Sequence, residues 1–145
     1  MKKFSLLLFF VVSTSILFAQ DVYKVVFTTG TTQYYSALVL FSDGTGKMRT
    51  KFYRSNSTVM VEQTMKVENT NSGLRITGYK PVYPGTHNTF PNYSPDNFYI
   101  SQDYRGNLSI LNIDDQGTSA TASIVLISNN YEKINFLNEF NWRLN

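Results

Sequence analysis

Residues 47–68 read KMRTKFYRSNSTVMVEQTMKVE, and this stretch decides the fold class. On both sides of its short polar middle, apolar side chains alternate with charged or polar ones. A period of two is typical of a β-strand that has one buried face and one exposed face. The two halves therefore predict an antiparallel hairpin, in a register that places Lys51 opposite Glu62 across a two-residue turn at 56–57.

The rest of the chain repeats this pattern of short strands and turns. An Asp-x-x-Gly spacing begins at Asp43, at Asp103 and at Asp114. Asp suits the first position of a type I turn, and the Gly can adopt the left-handed conformation that leads into the next strand. Besides the hairpin, we predict six further strands, near residues 22–28, 34–41, 74–79, 98–101, 108–113 and 120–128. Segment 34–41 is apolar on both faces, which predicts cover on both sides or contact with another subunit.

The C-terminal segment fits two patterns. Asn129 followed by Glu132 has the spacing of a helix capping box, which favours a short helix over residues 131–141. The face of that helix would contain Tyr131, Ile134, Leu137 and Asn141. A strand is the alternative, because Ile134, Phe136, Phe140, Trp142 and Leu144 would then share one side.

Eight antiparallel strands in chain order predict an all-β fold, either a barrel or a two-sheet sandwich, with the short helix at its end. The barrel form resembles the lipocalin architecture. However, the Gly-x-Trp that opens the first strand of lipocalins is missing, and the single tryptophan, Trp142, lies near the other end of the chain. We therefore predict an architecture and assign no family.

The N-terminus has the form of a secretory signal peptide. Lys2 and Lys3 precede an uncharged, apolar segment, 4–18, which ends at Ala19-Gln20. The segment is shorter than the roughly 20 residues that span a bilayer, and an uncleaved N-terminal anchor is the less favoured alternative. We predict a signal peptide over 1–20 and a single secreted or periplasmic domain over 21–145, with no stable membrane span after the signal is removed.

Composition narrows the possible partners. Two of the 13 basic side chains belong to the predicted signal, which leaves 11 basic and 10 acidic ones and a net charge of +1. A nearly neutral domain gives no electrostatic reason to expect a nucleic acid partner. The chain has no cysteine, so packing and hydrogen bonds must stabilise it without disulfides.

The sequence offers few catalytic groups. There is one histidine, His87, and no Gly-x-Ser-x-Gly elbow, phosphate-binding glycine loop or His-x-x-x-His pair. We therefore predict no enzyme activity, no cofactor and no metal. A hydrolase is the least favoured alternative, and it would need His87 hydrogen-bonded to a carboxylate beside a pocket.

The stretch 79–97 contains all four prolines of the chain and is the predicted functional loop. Prolines stiffen a loop, and loops this long are often functional. The candidate ligand-binding residues are Tyr83, His87, Phe90, Tyr93 and Asp96. The preferred function is a non-enzymatic binding or interaction module that captures a protein or glycan partner. The alternatives are a lipocalin-like carrier of a small apolar ligand and, for the loop itself, a lid whose aromatics are buried on the core.

Lys47, Arg49 and Lys51 form a basic row on one strand face. Such a row can bind an anionic polymer, but Glu62 and Glu68 on the next strand can offset it through cross-strand pairs. We favour the second interpretation.

Overall fold

The computed structural model describes residues 20–143, which form a closed β-barrel followed by an α-helix. Each strand pairs antiparallel with the next one along the chain, and the last strand pairs with the first. The strands are β1 (Asp21–Thr29), β2 (Thr32–Leu40), β3 (Thr45–Arg54), β4 (Ser57–Thr70), β5 (Gly73–Val82), β6 (Asn97–Gln102), β7 (Leu108–Ile113) and β8 (Ser119–Ile127). The predicted all-β fold is thus confirmed, and of its two predicted forms, barrel or two-sheet sandwich, the structure is the barrel. The predicted signal peptide lies outside the described residues except for Gln20.

The β3–β4 hairpin has the predicted faces but another register. Lys51 pairs with Met60, and it is Arg49 that pairs with Glu62, so the predicted register was wrong by two residues. The turn consists of Ser55 and Asn56, both with positive φ, 51° and 63°. Two positive φ values in a two-residue turn match the right-handed twist of the flanking strands. A shift of two residues keeps each side chain on its face, which is why the buried face was still predicted correctly.

Two of the three Asp-x-x-Gly turns form as predicted, with Gly106 and Gly117 at φ of 86° and 81°. In the third, the left-handed position is taken by Gly44, at φ of 82°, and not by Gly46. Gly46 belongs to β3 and faces the barrel interior. A Cβ there would lie 2.4 Å from the carbonyl oxygen of Val39, so the close approach of β2 requires glycine.

Large side chains fill the centre of the barrel. The Phe27 ring stacks on Tyr34 with centroids 4.8 Å apart, and it meets Phe98 edge-on at 5.3 Å. Around these rings pack core side chains that are buried from solvent: Val25, Leu38, Met48, Met65 and Ile76. An eight-stranded barrel is just wide enough to be filled in this way.

The helix α1 (Asn130–Asn138) confirms the helical interpretation of the C-terminal segment. The side chain of Asn129 caps it by accepting hydrogen bonds from the backbone N–H groups of Tyr131 (2.9 Å) and Glu132 (3.1 Å). No helix within residues 20–143 has the length and apolar character needed to cross a bilayer.

The buried face of α1 differs from the predicted one. Tyr131 and Ile134 are exposed, while Phe136, Leu137 and Phe140 are buried. The helix is shorter than predicted: the chain turns after residue 138, and this turn brings Phe140 onto the barrel.

The buried face of α1 covers the outside of the barrel. There it packs on Val22 of β1 and on Ala37 and Val39 of β2. The apolar outer face of segment 34–41 is therefore covered by the chain's own helix.

The basic row of β3 holds the C-terminal end of this helix. Nε of Arg49 donates to Oε2 of Glu62 at 2.6 Å, and its Nη1 donates to the carbonyl oxygens of Phe140 (3.0 Å) and Asn141 (2.8 Å). Nζ of Lys51 donates to the carbonyl oxygen of Glu139. These three carbonyls follow the last helical residue, Asn138, and accept no hydrogen bond from the helix, so the cations of β3 satisfy them. Glu62 offsets the row as predicted, whereas Glu68 instead pairs with Lys66 of its own strand at 2.8 Å.

Candidate functional site

The proline-rich loop lies at one end of the barrel, the end that also carries the β1–β2, β3–β4 and β7–β8 turns. The loop proper is 83–96, shorter than the predicted 79–97, because β5 continues through Val82. Pro81 fits within β5 because the pairing with β6 has already ended at Thr77, so its missing N–H leaves no gap in a ladder.

Backbone hydrogen bonds hold the loop in one shape. The N–H of Tyr83 donates to the carbonyl oxygen of Asn88 at 3.0 Å, and the N–H of Phe90 donates to that of Pro81 at 2.9 Å. The guanidinium of Arg54 donates to the carbonyl oxygen of Asn92 at 2.8 Å.

Two of the predicted ligand-binding aromatics close the barrel end. Phe90 is buried, and its ring centroid lies 6.3 Å from that of Phe52, a residue of the β3 inner face. Tyr93 lies 5.3 Å from the same ring. Val61 completes this cluster from β4. The rings of Phe90 and Tyr93 thus close the loop end of the barrel.

Asp96 anchors the loop inside the barrel. Its Oδ2 accepts hydrogen bonds from Nε2 of Gln63 (2.6 Å) and from the hydroxyl of Tyr93 (2.8 Å). Its backbone N–H donates to Oε1 of Gln63 at 2.8 Å. Burial raises the pKa of Asp96 to about 6, although the bonds from Tyr93 and Gln63 act in the opposite direction. The pKa of Tyr93 is also raised, first by burial and then by the charge of Asp96.

The other two predicted site residues lie on the outside of the loop. Tyr83 is 45% exposed, and its ring lies 4.9 Å from that of Phe90. His87 is exposed, and no carboxylate of residues 20–143 bonds to it. The five predicted residues therefore form two groups, three inside the barrel end and two outside it.

The opposite end of the barrel, which we call the open mouth, shows a different arrangement. Seven of the eight strands each place one apolar, inward-facing side chain there, and each of these side chains is only partly buried. They are Tyr23, Leu40, Val67, Leu74, Ile100, Ile110 and Ile124. The remaining strand, β3, has Gly46 next to Leu40 of the ring and so adds no side chain to it.

The open mouth has an exposed rim and a floor. Leu108 and Leu126, on the inner faces of β7 and β8, are 66% and 51% exposed at the rim. Met48 and Met65, both fully buried, belong to the floor. Methionine has three rotatable side-chain bonds and adapts its shape at low cost.

Sequence reasoning missed the open mouth because its residues come from seven separate strands, and no motif gathers them. A usable signal was present in the loop lengths. The turns at this end, 41–44, 71–72 and 103–107, are short, whereas the other end receives the 14-residue loop 83–96.

A search for metal-ligand clusters among the described residues and comparisons with known proteins gave no match. Within residues 20–143, no group of three or more His, Cys, Asp or Glu side chains is placed to hold a metal ion. The chain matches no family model, no curated protein and no solved structure.

Proposed function

We propose that this protein is a non-enzymatic binding protein that takes a small apolar ligand at the open mouth of its barrel. The observation that carries the proposal is the contrast between the two ends. One end is closed by Phe90 and Tyr93, while the other leaves a ring of seven inward-facing apolar side chains in partial contact with water.

Physical chemistry supports an apolar occupant. Apolar surface in contact with water costs roughly 25 cal/mol per Å², so a ligand that covers the ring gains free energy in proportion to the area it buries. Small-molecule sites are lined mostly by apolar side chains, and the members of this ring are apolar and point inward from the barrel wall. Six of the seven side chains are aliphatic, which favours a ligand with an aliphatic part.

A fluorescence titration with a matched pair of variants tests the proposal. The probe is a dodecanoic acid that carries a dansyl group, and the protein is the chain from Gln20 onwards. Leu126 and Val125 are neighbours on β8 with nearly equal exposure, 51% and 54%, but Leu126 faces the open mouth and Val125 faces outward. Leu126→Arg places a charge in the mouth, whereas Val125→Arg places the same charge outside.

We expect the wild type and Val125→Arg to bind the probe with the same Kd, and Leu126→Arg to weaken binding roughly 10-fold or more, because a charge in an apolar site must lose its water. Equal weakening by both variants, or no binding by the wild type, would refute the proposal.

A second candidate function is the capture of a protein or glycan partner by the outside of the proline-rich loop. The observation in its favour is the exposed ring of Tyr83 on a loop that backbone hydrogen bonds hold rigid. Immobilised protein should then lose its partner on Tyr83→Ala but keep it on Tyr131→Ala, which removes an exposed tyrosine of α1.

We further propose that the protein is exported and acts in a secreted or periplasmic location. The support is the basic, apolar and small-residue pattern of residues 1–20. N-terminal sequencing of the protein from its native host should then begin near Gln20 or Asp21. Retention of residues 1–18 in the mature protein would contradict export by this route.

A further inference from the structure

A cleft lies on the outer wall of the barrel, away from the open mouth. It has a volume of about 600 Å³ and lies along β5 and β6. Six of its eight lining residues have polar side chains: Thr70, Ser72, Arg75, Thr77, Asn97 and Tyr99. Their side chains offer hydroxyls, an amide and a guanidinium, and none of the eight lining residues is a carboxylate.

The strand register places these groups side by side. Arg75 is directly opposite Tyr99, and Thr77 is directly opposite Asn97, on the outward face of the β5–β6 pair. Directly opposite residues of one sheet face lie close enough to contact a single ligand. The β4–β5 turn adds Ser72, which bonds to the hydroxyl of Tyr99 and fixes the direction of the ring.

Arg75 forms no salt bridge within residues 20–143, although its charge contributes to lowering the pKa of the neighbouring Glu68, after the hydrogen bond and charge of Lys66. Glu68 is opposite Arg75 in the register, but its carboxylate lies 2.8 Å from Nζ of Lys66. The positive charge of Arg75 acts on the cleft. It contributes to lowering the pKa of Tyr99, although the hydrogen bonds with Ser72 and Thr70 contribute more. A guanidinium whose N–H groups are not engaged in a salt bridge can bind a carboxylate or sulfate of a ligand through two parallel hydrogen bonds.

We infer that this cleft binds an acidic saccharide. Sugar hydroxyls both donate and accept hydrogen bonds, and the Ser, Thr, Tyr and Asn side chains of the cleft do the same. The half-buried ring of Tyr99 offers an apolar surface for the C–H face of a sugar ring, and Arg75 selects the acidic group. The cleft lies outside the barrel, so this inference does not depend on the apolar ligand.

Calorimetric titration with two related oligosaccharides tests the inference. The first is a hexamer of galacturonic acid, and the second is the same hexamer with its carboxylates methyl-esterified, which removes the charge and keeps the sugar. The variants are Tyr99→Ala, Arg75→Gln and, as a matched control, Lys24→Gln. Lys24 is an exposed outward cation on β1, four strands away around the barrel.

The wild type should bind the acidic hexamer more tightly than the ester. Arg75→Gln should weaken the acidic hexamer roughly 10-fold or more and leave the ester unchanged, because it removes only the charge-assisted bonds. Tyr99→Ala should weaken both ligands, and Lys24→Gln should weaken neither. Equal affinity for the two hexamers, no binding by the wild type, or an equal loss in Lys24→Gln would overturn the inference. Thermal melts of each variant identify any loss that comes from unfolding, and Tyr99→Phe, which keeps the ring, should bind both hexamers.

Discussion

Asp96 is a buried carboxylate whose two side-chain donors, Gln63 and Tyr93, are both neutral. Its pKa is about 6 in the folded protein, above the ordinary value of 3.8, so the folded state binds this proton more tightly than the unfolded state does. The ionised form therefore destabilises the fold at neutral pH. This cost disappears as the pH falls from about 6 towards 4.

Asp96→Asn keeps an acceptor for both donors and removes the charge. Relative to wild type, the variant should gain roughly 2–3 kcal/mol of unfolding free energy between pH 4 and pH 7, from a shift of about two pKa units. Urea unfolding of both proteins at several pH values measures this difference. A difference that stays constant with pH would show that Asp96 titrates normally and is not held as described.

Substitutions at Tyr93 and Tyr83 test whether the loop is a lid on the core or a binding surface. Tyr93 packs on Phe52 and Phe90 and bonds to Asp96, so Tyr93→Ala should cost roughly 3–4 kcal/mol of stability. Tyr83 is exposed, so Tyr83→Ala should cost less than about 1 kcal/mol. Thermal melts compare them. A Tyr93→Ala variant as stable as wild type would mean that Tyr93 does not close the barrel end, and would restore it as a candidate ligand contact.

The contact between β3 and the end of α1 depends on one buried ion pair. Arg49 and Glu62 are both largely buried, whereas Lys47, which lies 3.7 Å from the same carboxylate, is 51% exposed. Arg49→Met leaves Glu62 without its main partner and frees two carbonyls of the helix end, so it should cost roughly 3–5 kcal/mol. Lys47→Met is the control, and an exposed pair of this kind contributes about 0–1 kcal/mol.

Chemical unfolding of the two variants measures the difference. Losses of equal size would show that the helix end is not held by Arg49. In that case α1 would be attached mainly through Phe136, Leu137 and Phe140.

At the scale of elements, the sequence was sufficient to predict all eight strands and the helix, because alternation and cap residues are local signals. The register of paired strands does not follow from such local signals. The β3–β4 pairing depends on which two residues form the turn, and Ser55-Asn56 was not distinguished from the next pair along. The buried face of α1 was also wrong, because it depends on where the helix ends and on the barrel wall it meets.

At the scale of the whole molecule, the sequence predicted a barrel or a sandwich and the structure is a barrel. The candidate site was harder to predict. The proline-rich loop was identified correctly as unusual, but Phe90, Tyr93 and Asp96 serve to close the barrel. The open mouth and the outer cleft are each assembled from several strands, so no single motif shows them, and the unequal loop lengths at the two barrel ends are the only sequence signal for the mouth.

Binding of an apolar ligand at the open mouth can be observed directly at its side chains. Isoleucine methyl groups report on it, because Ile100, Ile110 and Ile124 belong to the mouth. Two further isoleucines serve as controls: Ile113 faces outward on β7, and Ile134 is exposed on α1. The measurement is a methyl ¹H–¹³C spectrum of isoleucine-labelled protein, from Gln20 onwards, during titration with dodecanoate.

We predict that the three mouth resonances shift together and saturate, while those of Ile113 and Ile134 do not move. Shifts confined to the outward residues, or no saturable shift at the mouth, would show that the open mouth does not bind dodecanoate.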